Sequence, residues 1–154
     1  MKVLLAEIDS QLCALSFIIP ANKLSAIKDL SRLYPSIEFN QGEISNARNV
    51  LRVLSGETVE DIPISKFVFE RCSVFRKNVY TELLRIPRGT TKTYSEVACL
   101  VGRPTASRAV ARACSENVLA VIIPCHRVVA LDGSLCGYKW GIDIKRQLLN
   151  MESK

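Results

Sequence analysis

Cys125 and His126 stand side by side in the run Ile122-Ile123-Pro124-Cys125-His126-Arg127-Val128-Val129, and that histidine is the only one in the chain. A thiol beside an imidazole suggests nucleophilic catalysis, because the thiolate is the reactive form and a nearby base or cation favours it. Burial among apolar side chains does the opposite and leaves a thiol inert. The apolar run reads as a strand delivering the cysteine, with Pro124 fixing the backbone just before it. Neighbours on a strand point to opposite faces, so pairing Cys125 with His126 requires a turn or a bridging water. By itself the pair is weak evidence for a nucleophile, and the plainer reading is a buried cysteine beside a satisfied histidine.

The remaining chemistry-bearing residues narrow the choice. Six cysteines (Cys13, Cys72, Cys99, Cys114, Cys125, Cys136) include no CxxC pair, and a residue 1–6 segment without the h-region of a secretion signal gives no reason to expect an oxidising compartment. Reduced thiols are expected, in an intracellular protein of the cytoplasm or, in a eukaryote, the nucleus. One histidine leaves too few soft ligands for a zinc site of regular spacing, so no structural metal is expected. No apolar run reaches the roughly 20 residues of a membrane-spanning helix. The charge of +6 is uneven. Residues 1–70 carry seven basic and nine acidic side chains, whereas residues 71–154 carry fourteen and six. A polyanionic partner should therefore bind the second half.

These residues must be positioned by two kinds of structure. Residues 1–19 read as two strands joined near Asp9 to Gln11. Residues 23–33 place Leu24, Ile27, Leu30 and Leu33 at helical spacing, and residues 44–54 repeat the pattern with Val50, Leu51 and Leu54 before Gly56. Residues 61–69 alternate as another strand. The first half is thus a small α/β unit with no chemistry of its own. From Ser73 the pattern turns helical, with Val74, Phe75, Val79, Leu83 and Leu84 on one face. Two short helices follow, over residues 94–101 and 104–115, separated by Gly102-Arg103, with Pro104 suited to the first turn of the second. That outline is a helix-turn-helix.

Pro124-Cys125-His126-Arg127-Val128 resembles the active-site signature of the O6-alkylguanine-DNA alkyltransferases, the methylated-DNA-protein-cysteine methyltransferases. The likeness continues through Thr93-Tyr94, Arg108-Ala109-Val110, Asn117, Gly133, Gly137-Tyr138, Gly141, Lys145, Leu148-Leu149 and Glu152, over residues 73–153. In Gly137-Tyr138-Lys139-Trp140-Gly141 it is most marked toward the alkyltransferase domain of the bacterial Ada type. The resemblance implies an α/β, ribonuclease-H-like N-terminal domain over residues 1–70 and a mainly α C-terminal domain with a winged-helix-like helix-turn-helix over residues 71–154. It implies direct-reversal DNA repair. Double-stranded DNA containing O6-alkylguanine is the expected partner, the protein a monomer, and the alkyl group moves irreversibly to Cys125 in a single turnover.

Residue roles carried by the resemblance are as follows. The second helix of the motif lies in the minor groove, where small Ala106, Ser107, Ala109 and Ala111 permit close approach, and Arg108 fills the stack vacated by the extruded base. Tyr94 helps rotate the phosphate and donates to the flipped guanine. Asn117 braces the turn before Cys125. Carbonyls of Cys125 and Val128 accept from the guanine amino group, Tyr138 walls the pocket and the amide around Lys139 faces the alkylated oxygen. A water links Cys125 to His126, and Glu152 orients the imidazole. Trp140 and Cys136 depart from smaller residues common in relatives, and a bulky Trp140 at the pocket edge is expected to favour methyl over benzyl groups. Arg76, where glutamine is common, has no evident meaning in the sequence. A damage sensor without a nucleophile is disfavoured by Cys125 itself, and a transcriptional regulator by the absence of a four-cysteine module in the chain. A thiol hydrolase would turn over repeatedly.

Overall fold

Asp9 and Ser10 both adopt left-handed backbone, with φ of 53° and 60°. Positive φ at two successive residues matches the twist of a two-residue hairpin, and the pair joins β1 (Val3–Ile8) to β2 (Gln11–Phe17) in an antiparallel ribbon. The computed structural model describes residues 1–22 and 25–154. They divide into two compact units, Met1–Val68 with Val118–Ala120, and Phe69–Asn117 with Val121–Lys154.

In the first unit β2 is the buried strand, with Leu12, Cys13, Ala14, Leu15 and Phe17 all in the core. Its second edge is partly used: the Leu15 amide donates to Val118 and the Ala120 amide to Leu15, each at 2.9 Å. α1 (Ser25–Leu33) buries Ala26 and Leu30, and Tyr34 just beyond it donates to the Cys13 carbonyl at 2.7 Å. Ile27, expected on the inner face, is 65% exposed because the stripe runs through positions 26 and 30. Lys23 and Leu24 of the expected helix lie outside the described residues. α2 (Ala47–Leu54) begins three residues later than expected, at a start held by Glu7, whose carboxylate accepts from the amides of Ser45 and Asn46 and from the Asn46 side chain at 2.7–2.9 Å. An anion there also suits the helix dipole. Val50 is buried but Leu51 faces outward. The strand expected over residues 61–69 is not formed. Ile64 makes one parallel bridge to Leu12, and α3 (Lys66–Glu70) starts two residues on. Pro63 supplies a carbonyl to Leu12 at 2.8 Å but has no N–H with which to extend a ladder.

The second unit is mainly helical. Ser73 caps α4 (Val74–Leu84) by accepting the Arg76 amide. Val79, Tyr80 and Leu83 form its buried face, whereas Val74 and Leu84 are exposed, so the face is narrower than its apolar residues suggest. Tyr80 donates to the Ala113 carbonyl at 2.9 Å, tying α4 to α6 (Ser107–Ser115). Arg76 pairs with Glu116 beyond the end of α6, and Arg112 joins the same carboxylate at 3.1 Å. α5 (Tyr94–Leu100) follows the two-residue β3 (Lys92–Thr93), and Thr93 and Glu96 close a reciprocal capping box at its start. At its far end Gly102, with φ of 74°, lets the Arg103 amide reach back to Ala98 at 2.9 Å. Pro104 does not open the next helix. It occupies the second position of a turn closed by the Ala106 amide on Arg103, and α6 begins at Ser107. β4 (Val128–Val129) pairs in parallel with β3, and α7 (Ile142–Glu152) completes the unit. No helix among the described residues is long and apolar enough to cross a membrane.

Candidate active site

Cys125 is delivered by a turn, not by the strand that the apolar run suggested. Val121 carries φ of 67°, a conformation a β-branched residue rarely adopts. Pro124, at φ −81° and ψ 59°, is the centre of an inverse γ-turn in which the Cys125 amide donates to Ile123 at 2.8 Å. One turn of 3₁₀ helix, Cys125–Arg127, follows, and it passes directly into β4. Pairing of β4 with β3 sets this turn beside the start of α5, where Tyr94 stands. Asn117, fully buried, braces the turn: its side-chain amide donates to the Ile123 carbonyl at 2.9 Å and to Cys125 Sγ at 3.2 Å.

His126, also fully buried, meets Glu152 of α7, with Nε2 2.9 Å from Oε1. Arg127 grips the same carboxylate with two nitrogens, at 2.9 and 2.8 Å, and its third donates to the Ile86 carbonyl at 2.7 Å. Burial resists ionisation of Glu152, but the hydrogen bonds and charges of His126 and Arg127 outweigh it and bring the carboxyl down to about 2. Burial lowers the pKa of His126, which Glu152 partly counters, so the imidazole is neutral near pH 7. A carboxylate on Nε2 fixes the proton there and leaves Nδ1 as acceptor; Nδ1 has no protein partner among the described residues. The end of α7 is docked closely. Arg88 donates to Met151 at 2.9 Å, and a Cβ on Gly89 (φ 77°) would lie 3.0 Å from the Glu152 carbonyl.

A cavity of about 600 Å³ opens over Cys125, within the size range of small-molecule sites. Tyr94, Ser107, Arg108, Tyr138 and Lys139 line it together with Cys125, and so do Ala111, Cys114, Ser115, Cys136 and Gly137. Asn117, which contacts the thiol, does not line the cavity, nor do His126 and Glu152. Ala106 and Ala109 belong to the start of α6 but do not line the cavity, and Ala109 is exposed. Two expectations change. Trp140 is 1% exposed and does not line the cavity; it packs edge-on against Tyr138, with centroids 5.3 Å apart, because the chain turns its indole into the core. The Val128 carbonyl is already an acceptor, 2.6 Å from the Lys145 ammonium. Tyr94 likewise donates to the Cys136 carbonyl at 3.3 Å. Burial raises its pKa, so it stays a neutral donor.

Lys145 and Arg127 carry weight that their residue types did not announce. Lys145 is fully buried and also reaches the Gly137 carbonyl at 3.3 Å, tying the loop that carries Tyr138 to β4. Its place on the Lys145, Leu148, Glu152 stripe of α7 was a readable signal, since a lysine on an inward face needs acceptors. Burial raises the pKa of Cys125, while the Asn117 hydrogen bond and the charges of Lys145 and Lys139 act against that rise. All six cysteines are free. No group of three or more His, Cys, Asp or Glu among the described residues is placed to hold a metal ion.

Residues 74–154 match the family model described as 6-O-methylguanine DNA methyltransferase, DNA binding domain. The chain is 35% identical to the bifunctional transcriptional activator/DNA repair enzyme Ada of Escherichia coli over 153 residues, 99% of this chain and 43% of that protein. It is 51% identical to a methylated-DNA--protein-cysteine methyltransferase of Methanosarcina barkeri over 78 residues, covering 51% of this chain and 49% of the relative. The chain thus spans half or less of the length of these curated relatives. A crystal structure of Mycobacterium tuberculosis OGT in complex with DNA superposes with a TM-score of 0.78 at 33% identity, over 98% of this chain and 86% of that one. Like those relatives in its helices and strands, and carrying the family's match across its entire helical half, the chain belongs to the 6-O-methylguanine DNA methyltransferase family.

Proposed function

We propose that the protein repairs DNA by direct reversal. It binds duplex DNA, extrudes an O6-alkylguanine into the cavity over Cys125 and takes the alkyl group onto that sulfur, once per molecule and without a cofactor. The observation that carries this reading is Cys125 at the wall of a cavity of about 600 Å³, ample for a purine, hydrogen-bonded to Asn117 and followed by a histidine whose far nitrogen is held by Glu152. The names of the relatives, a cysteine methyltransferase acting on methylated DNA and an OGT crystallised with DNA, support it.

In this reading residues 1–70 form a ribonuclease-H-like structural domain and residues 71–154 the DNA-binding alkyltransferase domain. α5 and α6 act as a winged-helix-like helix-turn-helix, with α6 in the minor groove. Ala106, Ser107, Ala109 and Ala111 admit the sugar-phosphate backbone and Arg108 fills the vacated stack. Extrusion costs a few kcal/mol, less for a damaged pair. The net charge of +8 over residues 71–154 favours a polyanion. Tyr94 donates to the guanine as it departs, Tyr138 walls the base, and the Cys125 carbonyl and the remaining lone pair of Val128 accept from its amino group. Through a water, His126 Nδ1 takes the thiol proton, and Glu152 stabilises the resulting imidazolium. The thiolate then attacks the alkyl carbon, the carbon–O6 bond breaks, and its electron pair leaves on guanine, whose developing charge Tyr94 and the amide around Lys139 stabilise by donating hydrogen bonds until a proton, equivalent to the one the thiol gave up, returns to the base. Nothing reverses the thioether. Such a monomer works wherever its DNA lies, in cytoplasm or nucleus.

Mass spectrometry tests this. Incubation with duplex containing O6-methylguanine adds one methyl per chain, located on Cys125, and none to Cys125→Ser. Repeated turnover, or methylation persisting in the serine variant, overturns the assignment.

A further inference from the structure

Two buried side-chain atoms close to the nucleophile have no protein partner among the described residues: Nδ1 of His126 and the hydroxyl oxygen of Tyr138. Buried polar groups in folded proteins are satisfied by protein, by ordered water or by a ligand. Tyr138 lines the cavity over Cys125, yet its hydroxyl is shielded from solvent, so the oxygen end of the ring is turned toward the interior. Burial there pushes its pKa up, and the charges that Cys125, Cys114 and Glu152 carry when ionised add to the rise, so the phenol keeps its proton. The residue is also firmly held. Gly141 donates to the Tyr138 carbonyl at 2.9 Å, Lys145 reaches the preceding Gly137 carbonyl at 3.3 Å, and the indole of Trp140 packs edge-on against the ring at 5.3 Å between centroids.

In the repair reading the thiol proton of Cys125 passes through a water to His126 Nδ1, so the transfer depends on that water being held still. A buried water typically makes about three hydrogen bonds. The sulfur and Nδ1 supply two. We propose that the hydroxyl of Tyr138 supplies the third, and that Tyr138 is thereby a positioning residue that anchors the relay water between Cys125 and His126. This deepens the repair reading and rests on its proton path. The thiol gives its proton to the water while the water passes another to Nδ1. Tyr138 gives up none: it donates to the second lone pair of the water before and after the transfer. The products are the thiolate and an imidazolium whose Nε2 faces the Glu152 carboxylate at 2.9 Å. A donor on the water also polarises it and makes it a better acid toward Nδ1.

Tyr138→Phe keeps the ring at the cavity wall and removes only the oxygen. It is compared with the unaltered protein across the neutral and alkaline range in two assays: iodoacetamide labelling of Cys125, read by peptide mass spectrometry, and single-turnover methyl transfer from duplex containing O6-methylguanine. At neutral pH the variant is slower in both by about tenfold, the worth of one hydrogen bond. Its labelling profile is displaced by about one pH unit to the alkaline side and meets that of the unaltered protein where hydroxide takes the thiol proton directly. Thermal denaturation changes little, because the deleted oxygen has no protein partner among the described residues. Superimposed labelling profiles overturn the inference, and so does a deficit equal at every pH, which would mark a damaged wall or fold. Labelling needs no DNA. If the unaltered protein leaves the methyl group on guanine, the repair assignment fails on its own, and the two labelling profiles still decide whether the hydroxyl holds the water.

Discussion

The side-chain amide of Asn117 donates both to the sulfur of Cys125, at 3.2 Å, and to the carbonyl of Ile123, at 2.9 Å. One buried residue thus holds the turn that aims the nucleophile and contributes a hydrogen bond favouring its anion. Asn117→Ala leaves the Ile123 carbonyl without that donor in the interior, at a cost of about 1–3 kcal/mol. Thermal denaturation should show the loss, and single-turnover alkyl transfer should slow by about tenfold. A variant with lowered stability but an unchanged transfer rate would confine Asn117 to the fold.

Burial sets Cys125 above the ordinary thiol value of 9.0, against the opposing effects of Asn117, Lys145 and Lys139. At neutral pH the sulfur is therefore protonated in the free protein. Transfer, and alkylation by iodoacetamide as an independent probe, should both accelerate as pH rises through the alkaline range and still be rising where an exposed thiol has levelled off. A rate that is flat from neutral pH upward would show a thiolate already formed.

Glu152 lies at about 2 against an ordinary 4.5, so the folded protein holds this carboxylate ionised where the unfolded chain would protonate it. A depressed carboxyl contributes stability above the unfolded value, and that contribution is lost as pH falls from about 4.5 toward 2. Glu152→Gln should flatten this acid limb in pH-dependent unfolding. It should also cost stability at neutral pH, because Arg127 keeps its charge but loses the opposing carboxylate and one of its two acceptors, an amide nitrogen being unable to accept. An acid limb identical in the two proteins would mean that other carboxyls dominate it.

Trp140 supports Tyr138 from within the core and does not form the cavity wall. Trp140→Ala should lower stability by about 3–5 kcal/mol, the usual cost of deleting a buried aromatic. Trp140→Phe, which keeps a ring behind Tyr138, should leave the ratio of benzyl to methyl transfer unchanged. A marked gain in benzyl transfer by that variant would restore Trp140 as the direct limit on alkyl size.

Much of the local architecture was written in single residues. The hairpin at Asp9-Ser10 and the helix stop at Gly102 follow from backbone conformations that only certain turns accept. Where the reading failed, a neighbour had overridden the pattern. Residues 61–69 alternate like a strand, yet Pro63 cannot extend the ladder. Ile27 and Leu51 keep helical spacing but lie off the buried stripes through Ala26 and Val50. Pro104 suited a helix start and was used instead in the turn before it.

The sequence by itself determined that a cysteine, the sole histidine and a proline stand in succession, that basic charge gathers in the second half, and that these residues carry a family's signature. Tertiary structure decided what surrounds the sulfur. Ile86 meets Arg127 from 41 positions away, and Glu152 reaches His126 because α7 docks on the turn after α4, where Arg88 and Met151 are 63 positions apart. Periodicity reports which face of an element is buried, but not which distant element buries it. The ion pairs and the cavity arise from that second choice, made by packing and not by local preference.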